Sequence, residues 1–238
     1  MPYHYVFVYF PRCLVLWVVA WSNIRFWGLI LQRSIQLQKI NKSFAKKVLF
    51  TDLSYTFHQQ VYHLTGQNGV GKSTLLRLIV GLDSPDSGTV VLNNNYAIRD
   101  HSVNAKRLFY VPDDLPIYPF LTGHEFLSWL ATVRTKNTAE INQLLEQFEL
   151  QAHAYTKISD MSYGTKKKFI LSSALIGTPD FIILDEPLNG LDKKSQQVLF
   201  SLLAEKAAYC GVLLTTHHDV QLEQLNPIKV ELLDRQLV

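Results

Sequence analysis

The stretch Gly66-Gln-Asn-Gly-Val-Gly-Lys-Ser-Thr74 satisfies the pattern G-x-x-x-x-G-K-[ST] at every fixed position. Its glycines let the backbone fold round so that successive N–H groups point inward, toward phosphate oxygens. Val61-Tyr-His-Leu64 before it reads as a strand, and Leu75 to Val80 after it as a helix whose positive N-terminal end adds to the same field. Gly66, Gln67, Asn68, Gly69, Val70 and Gly71 are therefore expected to cradle a nucleotide's phosphates. Lys72 is expected to reach the β and γ phosphates, Ser73 to offer its hydroxyl to Mg²⁺, and Thr74 to contact phosphate beside it.

A second strand signal, Phe181-Ile-Ile-Leu184, is wholly apolar, as in a parallel sheet buried on both faces, and ends in Asp185-Glu186-Pro187. Strand ends of such a sheet face the ligand crevice. Asp185 there would hold Mg²⁺, and Glu186 would orient and deprotonate an attacking water. A third apolar strand, Gly211-Val-Leu-Leu-Thr215, runs into Thr216-His217-His218-Asp219 and brings imidazoles to the same edge. His217 is placed to hydrogen-bond the γ phosphate. Upstream, Lys46-Lys-Val-Leu-Phe50 and Leu53-Ser-Tyr-Thr-Phe57 read as two further strands.

Two cysteines, Cys13 and Cys210, leave no disulfide framework and no four-ligand zinc site, which favours a reducing compartment. The net charge of +3 comes from Arg12, Arg25 and Arg33 in an N-terminal stretch without acidic residues. Basic and acidic residues balance in the remainder, so no nucleic-acid partner is expected. Residues 1–33 also hold three of the four tryptophans and show no periodicity. The uncharged window between Arg12 and Arg25 falls short of the about 20 residues a membrane span needs. We read residues 1–33 as a hydrophobic extension arising from a non-native start, and residues 34–238 as the folded domain.

Beside these motifs stands Met161-Ser-Tyr-Gly-Thr165, opening a helix through Phe169-Ile-Leu-Ser-Ser-Ala174. A serine hydroxyl and a flexible glycine at a helix N-terminus make an anion site of their own. In this order the motifs, from about Leu37 onward, resemble the ATP-binding subunit of an ABC transporter of the bacterial exporter kind. Met161–Thr165 looks like the family's Leu-Ser-Gly-Gly-Gln signature with Ser162 and Gly164 retained. Leu188-Asn-Gly-Leu-Asp192 resembles the D-loop, His217 the switch histidine, and Phe44 the aromatic on which adenine stacks.

The resemblance implies an α/β fold: a P-loop NTPase core with a mostly parallel central sheet, antiparallel strands at the N-terminal side and an inserted small helical subdomain at about 113–165. It also implies ATP and Mg²⁺ as cofactors and a Mg-dependent ATPase. The signature faces the γ phosphate bound by a second ATP-binding subunit, in a homodimer or heterodimer, and a separate transmembrane permease is the other partner. The place implied is the cytoplasmic face of the inner (plasma) membrane.

Two positions depart from the family pattern. Asp113, in Tyr110-Val-Pro-Asp113, stands where glutamine is usual; a carboxylate there can contact Mg²⁺ or its water but adds negative charge beside ATP. Tyr163 and Thr165 replace glycine and glutamine in the signature.

Thr122-Gly-His-Glu125 is a capping box leading Phe126-Leu-Ser-Trp-Leu130, and Thr138 heads a second helix, Ile141 to Phe148. Residues from about Asp113 to Leu130 are the expected permease-docking surface. Lys166-Lys-Lys168 reads as a solvated face. Two other function classes stay open at this stage: a soluble ABC ATPase and a non-hydrolysing ATP-gated regulator.

Overall fold

A computed structural model describes residues 33–45, 47–98, 106–114, 117–135, 138–217 and 219–238. The N-terminal extension expected at residues 1–33, apart from Arg33, and His218 lie outside the described residues.

Two sheets flank one helix. In the four-stranded antiparallel sheet, of order β2-β1-β4-β5, β1 (Ser34–Phe44) pairs with β2 (Lys47–His58) and β4 (Ser87–Leu92), and β5 (Tyr96–Ala97) closes the edge. The two strands expected over 46–50 and 53–57 are one strand. Its break is a bulge: Asp52 takes a φ of 47° and is fastened to Asn41 across the ladder by hydrogen bonds of 3.0 and 3.1 Å. A compensating shift in β1 between Leu37 and Ile40 keeps Ile35, Leu37, Ile40, Phe50, Leu53 and Phe57 all facing inward.

The six-stranded sheet has the order β10-β9-β3-β8-β7-β6. Here β3 (Val61–Thr65), β6 (Leu108–Val111), β7 (Phe181–Leu184), β8 (Gly211–Leu214) and β9 (Ile228–Leu233) run parallel, and only β10 (Gln236–Leu237) returns antiparallel. The central strands are buried on both faces because their alternate side chains serve different cores. Phe181, Ile183 and Leu213 pack with α1 (Lys72–Val80) and the antiparallel sheet. Ile182, Leu184, Val212 and Leu214 pack with the helices on the far side.

Those helices are α2 (Gly123–Arg134), α3 (Ala139–Gln147), α4 (Tyr163–Leu175) and α5 (Lys193–Ala207). The capping box expected at Thr122 is present, with the Thr122 hydroxyl accepting from the Glu125 N–H and the Glu125 carboxylate accepting from the Thr122 N–H. Thr138 stands ahead of α3 but makes no side-chain cap. Arg134, at the end of α2, stacks its guanidinium 3.6 Å from the Phe109 ring centroid, and burial lowers its pKa to about 10.

The edge of the parallel sheet remote from the strand ends is tied by one carboxylate. Asp180, just ahead of β7, receives Arg33 at 3.2 Å, Arg107 at 2.9 Å and Asn93 at 2.8 Å, while Asn93 accepts from the Ser34 N–H at 3.0 Å. One buried acid therefore links the starts of β1, β6 and β7 to the turn after β4. Asp180→Ala removes the acceptor shared by Arg33, Arg107 and Asn93, and should lower unfolding stability by about 2 kcal/mol. Urea denaturation gives the value; an unchanged midpoint would remove Asp180 from this role.

Candidate functional site

The loop between β3 and α1 closes on itself through its glycines. Gly66, Gly69 and Gly71 have φ values of 140°, 74° and 118°. A side chain at Gly66 would meet the Leu232 carbonyl at 2.8 Å, and one at Gly71 the Phe50 ring at 3.1 Å. Only a bare Cα fits that conformation and that space. α1 begins at Lys72 rather than Leu75, since the Leu75 N–H already donates to the Gly71 carbonyl at 2.8 Å. Lys72 Nζ donates to the carbonyls of Gly66 (2.7 Å) and Gln67 (3.3 Å), so the ammonium lies across the loop. Lys47 Nζ, from β2, donates to the Gly69 carbonyl at 2.7 Å. Nothing in the local sequence marks Lys47 as part of the loop; sheet pairing brings it there.

Beside the loop, the ends of β7 and β8 are stitched by one hydroxyl. Thr215 Oγ1 donates to Asp185 Oδ1 at 2.7 Å and accepts from the Glu186 N–H at 2.9 Å. The Asp185 N–H meanwhile donates to the Val111 carbonyl at 2.8 Å. Asp185 is thereby fixed by the strands on both sides of β7. Glu186 takes a φ of 44°, a left-handed conformation in a non-glycine residue. Such strain persists only where the surroundings over-determine it, and the Thr215 bond does so here. Glu186 Oε1 lies 3.3 Å from His217 Nε2, and its Oε2 is buried with no hydrogen-bond partner among the described residues. Burial raises the Glu186 pKa, His217 and Lys72 oppose the rise, and Asp185 and Asp113 add to it.

Asn68, Gly69, Gly71, Lys72, Ser73 and Thr74 of the loop share one cavity of about 310 Å³ with Leu49, Asp185, Glu186 and His217. Loop amides, an ammonium, two hydroxyls, two carboxylates and an imidazole, from the ends of three parallel strands, thus face a single space.

The sequence profile of the ABC transporter family matches residues 50–189. The chain belongs to the ABC transporter family. It is 34% identical over 171 residues to the zinc import ATP-binding protein ZnuC of Rickettsia bellii, covering 71% of this chain and 69% of that protein. It is 32% identical over 203 residues to the Nod factor export ATP-binding protein I of Paraburkholderia xenovorans, covering 82% and 66%. A solved ATP-binding subunit of an ABC transporter superposes with a TM-score of 0.78 at 26% identity, covering 85% of this chain and 87% of that one. The chain spans 12%, 66% and 4% of the length of the first three curated relatives it matches.

The remaining candidate residues of this ABC chain lie off the cavity lining. Phe44, half exposed at the end of β1, has Lys42 Nζ 4.9 Å from its ring centroid. Ser162 caps α4, its hydroxyl accepting from the Thr165 N–H at 3.2 Å. The Cβ position of Gly164 is 3.0 Å from the Gly190 carbonyl. Tyr163 lies along Gly190 so closely that a Cβ there would sit 2.4 Å from the ring. Asp113 Oδ1 accepts from Asn189 Nδ2 at 3.2 Å and lies 3.8 Å from Lys167 Nζ.

Lys167 overturns the reading of Lys166–Lys168 as a solvated face. Its side chain is 0% exposed, whereas Lys168 reaches Asp192 at 3.0 Å on the surface. A helix turns each successive residue by about 100°, so three consecutive lysines cannot share a face. Burial lowers the Lys167 pKa; Asp113, Asp185, Glu186 and Asp114 pull it back up.

Thr215→Val keeps the shape but removes both hydrogen bonds that join Asp185 to Glu186. It should cost about 2 kcal/mol in chemical denaturation, while Thr215→Ser stays near wild type. A loss in Thr215→Ser with none in Thr215→Val would show that the methyl group, not the hydroxyl, matters.

Proposed function

We propose that the chain is the ATP-binding subunit of a membrane ABC transporter, hydrolysing ATP at a dimer interface to drive a substrate through a separate permease. The observation that carries this reading is the meeting of Lys72, Ser73, Asp185, Glu186 and His217 in one cavity at the ends of parallel strands. In this proposal the cassette begins at Arg33, which is bonded to Asp180 and Pro179, and runs to residue 238, with a helical subdomain at about 113–165. The family likeness includes relatives named for import and for export, so the exporter character rests on the variant motifs alone.

Loop amides from Gly66 to Gly71 and the Lys72 ammonium bind the β and γ phosphates. Thr74 adds a hydroxyl, and Phe44 offers its open ring to adenine. Ser73 and Asp185 suit Mg²⁺, a hard cation that takes oxygen ligands, whereas Asp113 lies outside the cavity lining and is taken up by Asn189 and Lys167. When bound, Mg²⁺ neutralises charge developing on the phosphates. Glu186 orients the attacking water and takes its proton on the buried Oε2, where burial has made the carboxylate more basic. His217 holds Glu186 in place through Oε1 and can donate to the γ phosphate. The strained backbone at 186 keeps that carboxylate from swinging out of line.

Ser162 and Gly164 do not line their own chain's cavity. They open α4 as an anion site with a serine cap, which supports their use by the phosphates of a second ATP-binding subunit. Permease docking is supported by exposed aromatics at the start of the helical region. Tyr118 lies 5.8 Å from Phe120 and 6.2 Å, edge-on, from Trp129. No helix among the described residues is long and apolar enough to cross a membrane. The likeness to transporter ATP-binding proteins supports the cytoplasmic face of the inner (plasma) membrane, beside the permease, as the proposed place.

Lys72→Ala should weaken Mg-ATP binding by about a hundredfold, measured with a fluorescent ATP analogue. Glu186→Gln should bind Mg-ATP as the parent does, turn over at least about a hundredfold more slowly, and shift from monomer to dimer in light scattering when Mg-ATP is added. Undiminished turnover in Glu186→Gln would sink the catalytic assignment. ATP binding without pairing would favour the regulator reading or an unlike second subunit.

A further inference from the structure

Within that reading, one charged group near the cavity has no assigned task. Lys167 projects from α4 into the interior, fully buried, and its Nζ makes no hydrogen bond among the described residues. A buried ammonium survives only beside negative charge. Asp113 Oδ1, 3.8 Å away, is within ion-pair reach though beyond hydrogen-bond length. Asp185 and Glu186 contribute further negative field at Lys167, as does Asp114.

Asp113 in turn sits where three segments meet. It leads out of β6 toward the helical region; Lys167 reaches it from α4, and Asn189 from the loop after β7. Its carboxylate is half exposed and close enough to raise the Glu186 pKa. A bare aspartate there would repel a polyphosphate in the neighbouring cavity.

We infer that Lys167 is the counter-ion of Asp113, a positioning residue whose buried charge cancels the aspartate and lets nucleotide bind beside it. The inference rests on the ATP-site reading. It makes Lys167 and Asp113 one unit, whose members are tolerated together and costly apart. The uncompensated acid, rather than a lost lysine contact, is then what weakens binding.

The test is a double-mutant cycle read by affinity for Mg²⁺ with a β,γ-imido ATP analogue, so that no turnover is involved. Lys167→Met should weaken binding about tenfold, and adding Asp113→Asn should restore it to within about threefold of the parent. Asp113→Asn alone should bind at least as tightly as the parent, yet melt about 3 °C lower because it leaves the ammonium without its nearest partner. Equal affinity in Lys167→Met and the parent overturns the inference, as does a double variant no better than Lys167→Met. If Lys167→Met fails to fold, Lys167→Gln takes its place. If both fail, an Asp113→Asn melting temperature equal to the parent's overturns the pairing, and the predicted fall supports it. A parent that binds the analogue no better than Lys72→Ala overturns the functional reading, and the inference with it.

Discussion

Parallel pairing of β3, β8, β7 and β6 is the constraint on which the chemistry of this chain depends. Parallel strands all point their carboxyl ends to one edge, so the loop after β3, the acids after β7 and the threonine and histidine after β8 arrive together without long-range design. The pairing holds because alternate side chains of short apolar strands fill different cores on the two sides. A one-residue slip would exchange those cores and pull Asp185 out of line with Thr215.

Electrostatics then sorts groups the sheet has gathered. Asp185 and Glu186 are adjacent acids with unlike surroundings. Asp185 is held by the Thr215 hydroxyl and its backbone by Val111, whereas Glu186 is buried with one oxygen unsatisfied. The first arrangement suits a fixed anion, and the second an oxygen that takes up protons readily. Lys167 answers the surplus of negative charge from behind, within the protein rather than from solvent.

The features legible in the sequence share one property: a local pattern carries their physics. The phosphate loop, the apolar strands ending in acids, and the capping box at Thr122 each state their own geometry within a few residues. Asp52 shows the limit, because a polar interruption between apolar runs looks alike whether it turns the chain or merely bulges it, and only the partner Asn41 decides. Lys47, Thr215, Asp180 and Lys167 were harder still, since each acts through a neighbour distant in sequence. Lysine usually means solvent, and no local signal showed that the middle lysine of the Lys166–Lys168 run would turn inward.

Tyr163 and Gly190 occupy one volume between them. The tyrosine ring lies where a side chain at 190 would go, so space for the large residue in the signature segment is granted by the absence of one in the loop after β7. Bulk at these positions is a shared quantity: what the ring occupies, a side chain at 190 cannot. Glycine at 190 is required twice over, by the ring beside it and by its own φ of 75°, so a small residue at 163 would lift only the first of the two constraints.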